Sequence, residues 1–108
     1  MLKSTSLSIC LTTAGSLGEG EKLARRLVEK RLAACVNVLP GVISFYHWKQ
    51  KICRDEEVLL VIKTLTPKLS LLETELKKIH PYEVPEFVVL SPSNVSKEYL
   101  KWIKEVVC

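Results

Sequence analysis

His80 is the side chain in this sequence best suited to binding a metal ion. Imidazole is a good ligand for copper, zinc and nickel, and an added thiolate favours Cu(I). Cys35 and Glu86 are the residues that could complete such a site, either within one subunit or between copies of the chain. The alternative is structural, because a histidine at a helix C-terminus can donate to the last carbonyl groups. Both interpretations of His80 remain open from the sequence.

Lys63 is the second residue with potential chemistry, because it lies inside an apolar stretch. A buried ammonium group requires a charged or hydrogen-bonding partner. The candidate partners are the carboxylates Glu57, Glu83 and Glu86. Tyr82 stands beside these acids after a predicted helix end, so these residues predict a cleft that could bind a small anion. A purely structural ion pair of Lys63 is the alternative.

Aromatic residues near the middle of the chain predict a subunit interface. Tyr46 and Trp48 fall on one face of a strand, and Phe45 immediately precedes Tyr46. Aromatic side chains bury large areas and are enriched at interfaces. We expect them to contact a second copy together with Leu59 and Val61. The alternative is that they belong to the core of the monomer.

Other classes of function find little support in the sequence. There is no glycine-rich phosphate loop, Ser-His-Asp set or HExxH motif, so we expect no enzyme activity. The net charge is +4, and its lysines and arginines are scattered, which argues against a nucleic-acid partner. The apolar run Val58–Ile62 is too short to span a membrane. Met1–Lys3 leads into a polar segment rather than a signal peptide, so we expect a cytoplasmic protein.

The predicted elements follow the order β-α-β-β-α-β-α within one domain, residues 1–108. Ser16 and Ser96 are predicted helix caps, and Thr66–Pro67 predicts a helix start. Pro40–Gly41 should interrupt a strand. The elements are a strand at Ser6–Thr13, a helix from Ser16 to about Ala33, a strand at Cys35–Leu39, a hairpin at Val42–Leu65 with its bend within Lys49–Asp55, a helix from Thr66 to His80, a strand at Glu86–Leu90 and a last helix after Ser96.

Both faces of the central hairpin are rich in apolar residues, although side chains alternate between faces along a strand. This order of elements predicts an α+β, ferredoxin-like open sandwich with an extra C-terminal helix and the two main helices on one side of the sheet. A closed homo-oligomer would cover the other side. The sequence assigns Val42, Ser44, Tyr46, Trp48, Val58, Leu60, Ile62 and Thr64 to one face, and Ile43, Phe45, His47, Leu59, Val61, Lys63 and Leu65 to the other.

Several motifs, in the same order, resemble the CutA family of divalent-cation tolerance proteins. They are Leu32–Asn37 (LAACVN), Leu39–Val42 (LPGV), Tyr46–Trp48 (YHW), Glu57–Val58, Ile62–Thr64 (IKT), His80–Glu86 (HPYEVPE) and Tyr99–Trp102 (YLKW). The resemblance implies a single CutA-like domain in a homotrimer similar to the PII signalling proteins. It also implies a cytoplasmic protein that acts in tolerance of copper and other divalent cations, without known catalysis.

The resemblance also bears on the metal ligands. In family members with a copper site, a cysteine near the end of the first strand and a His-His pair contribute ligands. The matching positions here are Thr12, Ile79 and His80, so only His80 keeps a ligand side chain. The second hypothesis is a PII-like signalling or scaffold trimer, which binds small anionic ligands or proteins at clefts between subunits.

Overall fold

The predicted order of the main helices and strands is confirmed by a computed structural model, which describes residues 2–3 and 6–107. Two short strands were not predicted, and they pair with each other as a separate antiparallel sheet. The elements are β1 (Leu2–Lys3), β2 (Leu7–Ala14), α1 (Leu17–Glu29), β3 (Cys35–Trp48), β4 (Lys51–Leu65), a 3-10 turn (Thr66–Lys68), α2 (Leu69–Ile79), β5 (Val88–Leu90), β6 (Asn94–Val95) and α3 (Lys97–Val106).

The main sheet has four antiparallel strands in the order β3-β4-β2-β5. Helices α1 and α2 pack on one face, where alternate residues of β2 and β4 are buried. The α+β class is therefore confirmed. No helix within the described residues is long and apolar enough to cross a membrane. The buried core between helices and sheet comprises Cys10, Ala14, Leu23, Leu27, Leu32, Ala33, Val58, Leu60, Ile62, Leu72 and Leu76.

The opposite face of the sheet is covered at one end only. Helix α3 packs there through Leu100 and Ile103 against Leu7 of β2. The side that we expected a homo-oligomer to cover is therefore covered in part by the chain itself, because the amphipathic last helix buries its apolar side on it. The rest of this surface, which we call the open face, is formed by half-buried and exposed apolar residues: Ile9, Leu11, Leu39, Leu59, Val61, Val88 and Leu90.

The central hairpin turns through two residues, Lys49 and Gln50, which have φ angles of 50° and 66°. Positive φ at both central residues is typical of the tight type I′ hairpin turn. Trp48 therefore pairs with Lys51, and between Val42 and Trp48 the even-numbered residues of β3 pair with odd-numbered residues of β4. The predicted faces of the hairpin were wrong for this reason. Tyr46 shares its face with Cys53, and hence with the open face rather than with the helix-covered side.

Strand β3 continues through Pro40 and Gly41 instead of ending there. The pairing register shifts between Leu39 and Val42, and Gly41 has a φ of 80°. Glycine adopts this left-handed conformation without steric cost, which permits a bulge in an otherwise continuous strand.

The helix caps follow the predictions in part. Ser16 Oγ accepts a hydrogen bond of 3.2 Å from the backbone N–H of Glu19, and Ser96 caps α3 in the same way. Helix α1 ends at Glu29, short of the predicted end at Ala33. Thr66 opens a 3-10 turn that precedes α2, and its hydroxyl lies 2.8 Å from Ser8 Oγ and forms a hydrogen bond with it.

Candidate functional site

A cleft of about 640 Å³ opens at the base of the β3–β4 ribbon. Strand β2 pairs with β4 only as far as Val58, so the two long strands project beyond the rest of the sheet. The segment that follows α2 closes the other side. Among the described residues, four carboxylate residues and four aromatic residues line the cleft, and no lysine or arginine does. The lining residues are Thr13, Ser44, Phe45, Tyr46, Trp48, Asp55, Glu57, Tyr82, Glu83, Val84, Pro85 and Glu86.

Tyr82 connects the segment after α2 to the sheet. Its hydroxyl donates a 2.7 Å hydrogen bond to Glu57 Oε2, and its backbone N–H donates to His80 Nδ1 over 3.1 Å. The rings of Tyr82 and His80 are also in contact, with centroids 4.7 Å apart. A Cβ atom on Gly15 would lie 3.3 Å from the Tyr82 hydroxyl, so the absence of a side chain there leaves room for the phenol.

His80 is buried, and both of its ring nitrogens have partners. Nε2 lies 2.7 Å from the carbonyl oxygen of Thr13. A carbonyl oxygen only accepts, so Nε2 carries the proton, and Nδ1 accepts from Tyr82. His80 thus holds the cleft segment against β2 as a neutral imidazole. The predicted capping role is wrong for the side chain, because it bonds to β2 rather than to carbonyl groups of its own helix.

The metal site implied by the family resemblance does not fit these residues. Thr12 is fully buried, and its hydroxyl has no hydrogen-bond partner within the described residues. A hydroxyl and the aliphatic side chain of Ile79 are poor substitutes for thiolate and imidazole ligands of copper. Metal binding by His80 would also break one of its two hydrogen bonds.

Neither of the cysteines near this region supplies the missing thiolate. Cys35 pairs with Lys63, and the strand spacing places it roughly 17 Å from Thr13 within one subunit. Cys35 therefore does not reach His80 within one subunit, and its contribution to a site in a trimer stays a prediction. Burial raises the pKa of the Cys10 thiol to about 11, which keeps it protonated. No group of three His, Cys, Asp or Glu residues in the described chain is arranged to hold a metal ion.

Lys63 does not belong to the cleft of its own subunit. It lies six residues along β4 from Glu57, a separation of about 20 Å in an extended strand. The predicted contact of Lys63 with these carboxylates was wrong within one subunit for this reason. The structure does bring Tyr82, Glu83 and Glu86 onto one cleft.

A second tyrosine–carboxylate pair lies on the ribbon, where Tyr46 donates a hydrogen bond to Asp55. This bond to Asp55 raises the pKa of Tyr46 to about 12. The pKa of Tyr82 is also raised, by burial and by the bond to Glu57. Both phenols therefore stay protonated at neutral pH and donate to their carboxylates. The sequence analysis missed Asp55, which the alternation of β4 places on the same face as Glu57.

The predicted interface residues lie on both sides of the sheet. Tyr46 and Trp48 are about 40% exposed and share a face with the half-buried Leu59 and Val61. Phe45 is 68% exposed, and strand alternation places it on the other face of the ribbon. The proposed contact of these five residues with a second subunit stays a prediction.

Comparisons with known proteins agree with the motifs. The family model described as "CutA1 divalent ion tolerance protein" matches residues 8–106. The divalent-cation tolerance protein CutA of Thermus thermophilus is 42% identical over 97 residues, which cover 90% of this chain and 94% of that protein. A CutA homolog of Xenopus laevis is 44% identical, covering 96% of this chain and 69% of that protein. The structure of CutA from Synechococcus elongatus PCC7942 superimposes with a TM-score of 0.95 at 34% identity, covering 99% of this chain and 95% of the other.

Proposed function

Because the chain belongs to the CutA1 divalent ion tolerance protein family, we propose that it acts in tolerance of divalent cations, copper included. In this proposal the protein is a non-enzymatic homotrimer that binds its ligands at the cleft beside the β3–β4 ribbon. The observation that carries the proposal is the cleft itself, because it is lined by four acidic side chains and, within residues 6–107, by no basic one. The acidic residues are Asp55, Glu57, Glu83 and Glu86.

The trimer is supported by the open face. Leu39, Val88 and Leu90 are 43%, 45% and 47% exposed, although they lie on the face of a central sheet. Burial of such a surface between copies is favourable, and closed symmetry lets each copy cover the next. The strand order supports a ferredoxin-like subunit, and a trimer of such subunits would be similar to the PII proteins.

Sedimentation equilibrium tests the assembly. We expect a mass three times the 12.2 kDa of the subunit at micromolar concentration. A Leu39→Glu variant should sediment at a lower mass, because it places a charge on the open face. A folded wild-type chain that sediments as a monomer would contradict the trimer.

We propose that the divalent cation binds to carboxylate oxygens at the cleft and not to His80. Carboxylates bind divalent cations well. No three donors converge within the described part of one subunit, so donors from a second copy are proposed to complete the site. Calorimetric titration with Cu(II) and Zn(II) tests this. The double variant Glu83→Gln/Glu86→Gln should lose saturable binding, and Glu98→Gln/Glu105→Gln on α3 should retain it. Wild-type protein without saturable binding would refute the metal role.

Lys63 favours a second candidate, a PII-like signalling or scaffold trimer. Lys63 is half-buried on the open face, and no carboxylate pairs with it among residues 2–3 and 6–107. At a contact between subunits this ammonium group could receive a small anion. Titration with inorganic phosphate and ATP, with Lys63→Met as the variant, distinguishes this candidate. Binding that persists unchanged in Lys63→Met would remove it.

The location in the cell is also a proposal. We propose that the protein is cytoplasmic and that neither nucleic acid nor membrane is its partner. Fractionation of cells that express the full chain, followed by detection in the soluble cytoplasmic and the membrane fractions, tests both statements. Recovery in the membrane fraction or outside the cytoplasm would contradict them.

A further inference from the structure

Glu57 is a buried carboxylate that forms no ion pair with a basic side chain in the part of the chain that the structure describes. Only 9% of the residue is exposed, and its side chain lines the cleft. Tyr82 donates to Oε2, while the ion pairs in the described chain are made by Glu75 and Glu73 instead. A charge removed from water costs free energy unless a partner compensates it. One hydrogen bond from a phenol leaves Oε1 of Glu57 available to a cation in the cleft.

The rest of the cleft has the same preference for positive charge. Four of the 12 acidic residues of the chain line it, although the protein as a whole carries a net charge of +4. Tyr46 orients the carboxylate of Asp55 as Tyr82 orients that of Glu57. No lysine or arginine of the described chain lines the cleft, so these acids are not neutralised by a basic side chain there.

The walls of the cleft are aromatic, a feature that metal binding by its carboxylates does not use. Trp48 is 40% exposed, and Tyr46 lies on the same face of the ribbon. Aromatic faces attract ammonium groups through cation–π interactions, and they also pack against apolar carbon. A hydrated metal ion gains little from such walls, because its ligands are converging oxygen or nitrogen atoms.

We propose that this cleft binds a small organic ammonium ion, namely a protonated amine with an apolar body. The ammonium group donates to Oε1 of Glu57, with Asp55 nearby as a second acceptor. The apolar body packs against Trp48 and the neighbouring aromatic residues. The volume of about 640 Å³ is sufficient for a ligand of this kind. This binding differs from the proposed metal role in its ligand, although both proposals use the carboxylates of the cleft.

Calorimetry with three probes of similar shape tests the charge preference. Benzylammonium is positively charged at pH 7, benzyl alcohol is neutral and benzoate is negative. We expect saturable binding of benzylammonium to the wild-type oligomer, and neither of the other two should saturate the cleft. Equal binding of benzyl alcohol would overturn the proposal. Absence of saturable benzylammonium binding would also overturn the proposal. We expect that result if a basic side chain of a second copy fills the cleft.

Variants then assign the contacts. Glu57→Gln should weaken benzylammonium binding about tenfold or more, since hydrogen bonds to charged groups are the stronger ones. Trp48→Leu should weaken it about fivefold through loss of the aromatic face. Glu56→Gln is the matched control, because this exposed residue precedes Glu57 on β4 and faces the other side. It should bind like the wild type. Unchanged binding in Glu57→Gln would refute the assignment.

The folded state is checked separately in the same variants. A glutamine at position 57 can still accept from Tyr82, so we expect Glu57→Gln to keep the wild-type far-UV circular dichroism and oligomer mass. Removal of an uncompensated charge should also raise its unfolding midpoint. A Zn(II) titration run in parallel separates the two proposals. Loss of metal binding with benzylammonium binding intact would refute only the metal role, and the reverse result would refute only the ammonium site.

Discussion

Replacement of Thr12 by valine should stabilise the protein. Thr12 lies on β2 opposite Leu60, is completely buried on the helix-covered side and has no partner for its hydroxyl within the described residues. An unsatisfied buried polar group costs about 1–3 kcal/mol. Valine has nearly the same shape and the same β-branched stiffness, so the backbone preference and packed volume change little. We therefore expect the free energy of unfolding to rise by about 1–2 kcal/mol.

Thr64 supplies the matched control for Thr12. It is also completely buried, on the neighbouring strand, and its hydroxyl donates a 2.6 Å hydrogen bond to the carbonyl oxygen of Leu32. Thr64→Val removes this donor and leaves the carbonyl without it. We expect the free energy of unfolding to fall by about 1–3 kcal/mol. The same substitution of threonine by valine should therefore raise the free energy of unfolding at one position and lower it at the other, because only one of the two hydroxyl groups is hydrogen-bonded.

Urea unfolding, followed by circular dichroism at several protein concentrations, measures both variants. The concentration series is needed because association of subunits contributes to the apparent stability. The slope of the free energy against urea should not change, since the surface exposed on unfolding is the same. A destabilised Thr12→Val protein, or equal effects of both substitutions, would refute the reasoning and would indicate that the hydroxyl of Thr12 has a partner.

Two further predictions concern helix α1 and its contact with α2. Gly20→Ala should destabilise the protein by about 1–3 kcal/mol, because the new Cβ would lie 2.7 Å from a valine methyl of β4. A Cβ atom on Gly18 would have no atom within 4 Å, so Gly18→Ala should stabilise α1 by up to about 1 kcal/mol. Thermal unfolding of the two variants measures this contrast. Equal shifts of their unfolding midpoints would contradict it. The hydrogen bond from Arg26 lowers the pKa of Glu75 below its ordinary value of 4.5, with Lys30 adding to the effect. This contribution to stability is therefore present above about pH 4.5 and is lost as the pH falls through the folded-state pKa. The free energy of unfolding, measured from pH 7 to pH 3, should differ less and less between wild type and Glu75→Gln as the pH falls. A difference in this free energy that does not depend on pH would contradict the ion pair.

The order of helices and strands could be predicted from local sequence signals. Serine caps such as Ser16, and helical spacing of leucines such as Leu72 and Leu76, are properties of neighbouring residues. The position of the hairpin was also predictable, but its turn was not. Lys49–Gln50 adopts a conformation that usually requires asparagine or glycine, and this turn fixed the register and reversed the predicted faces.

The sequence by itself determined the α+β class, the family and the group of acidic and aromatic residues after α2. These depend on residue types and on spacing along the chain. The tertiary structure decided which of these groups meet. Lys63 lies six residues along β4 from Glu57 and therefore outside the cleft, whereas Asp55 lies in it. The tertiary structure also gave each ring nitrogen of His80 a hydrogen-bond partner. Contacts between residues distant in sequence depend on register and packing, and local patterns do not encode either of these.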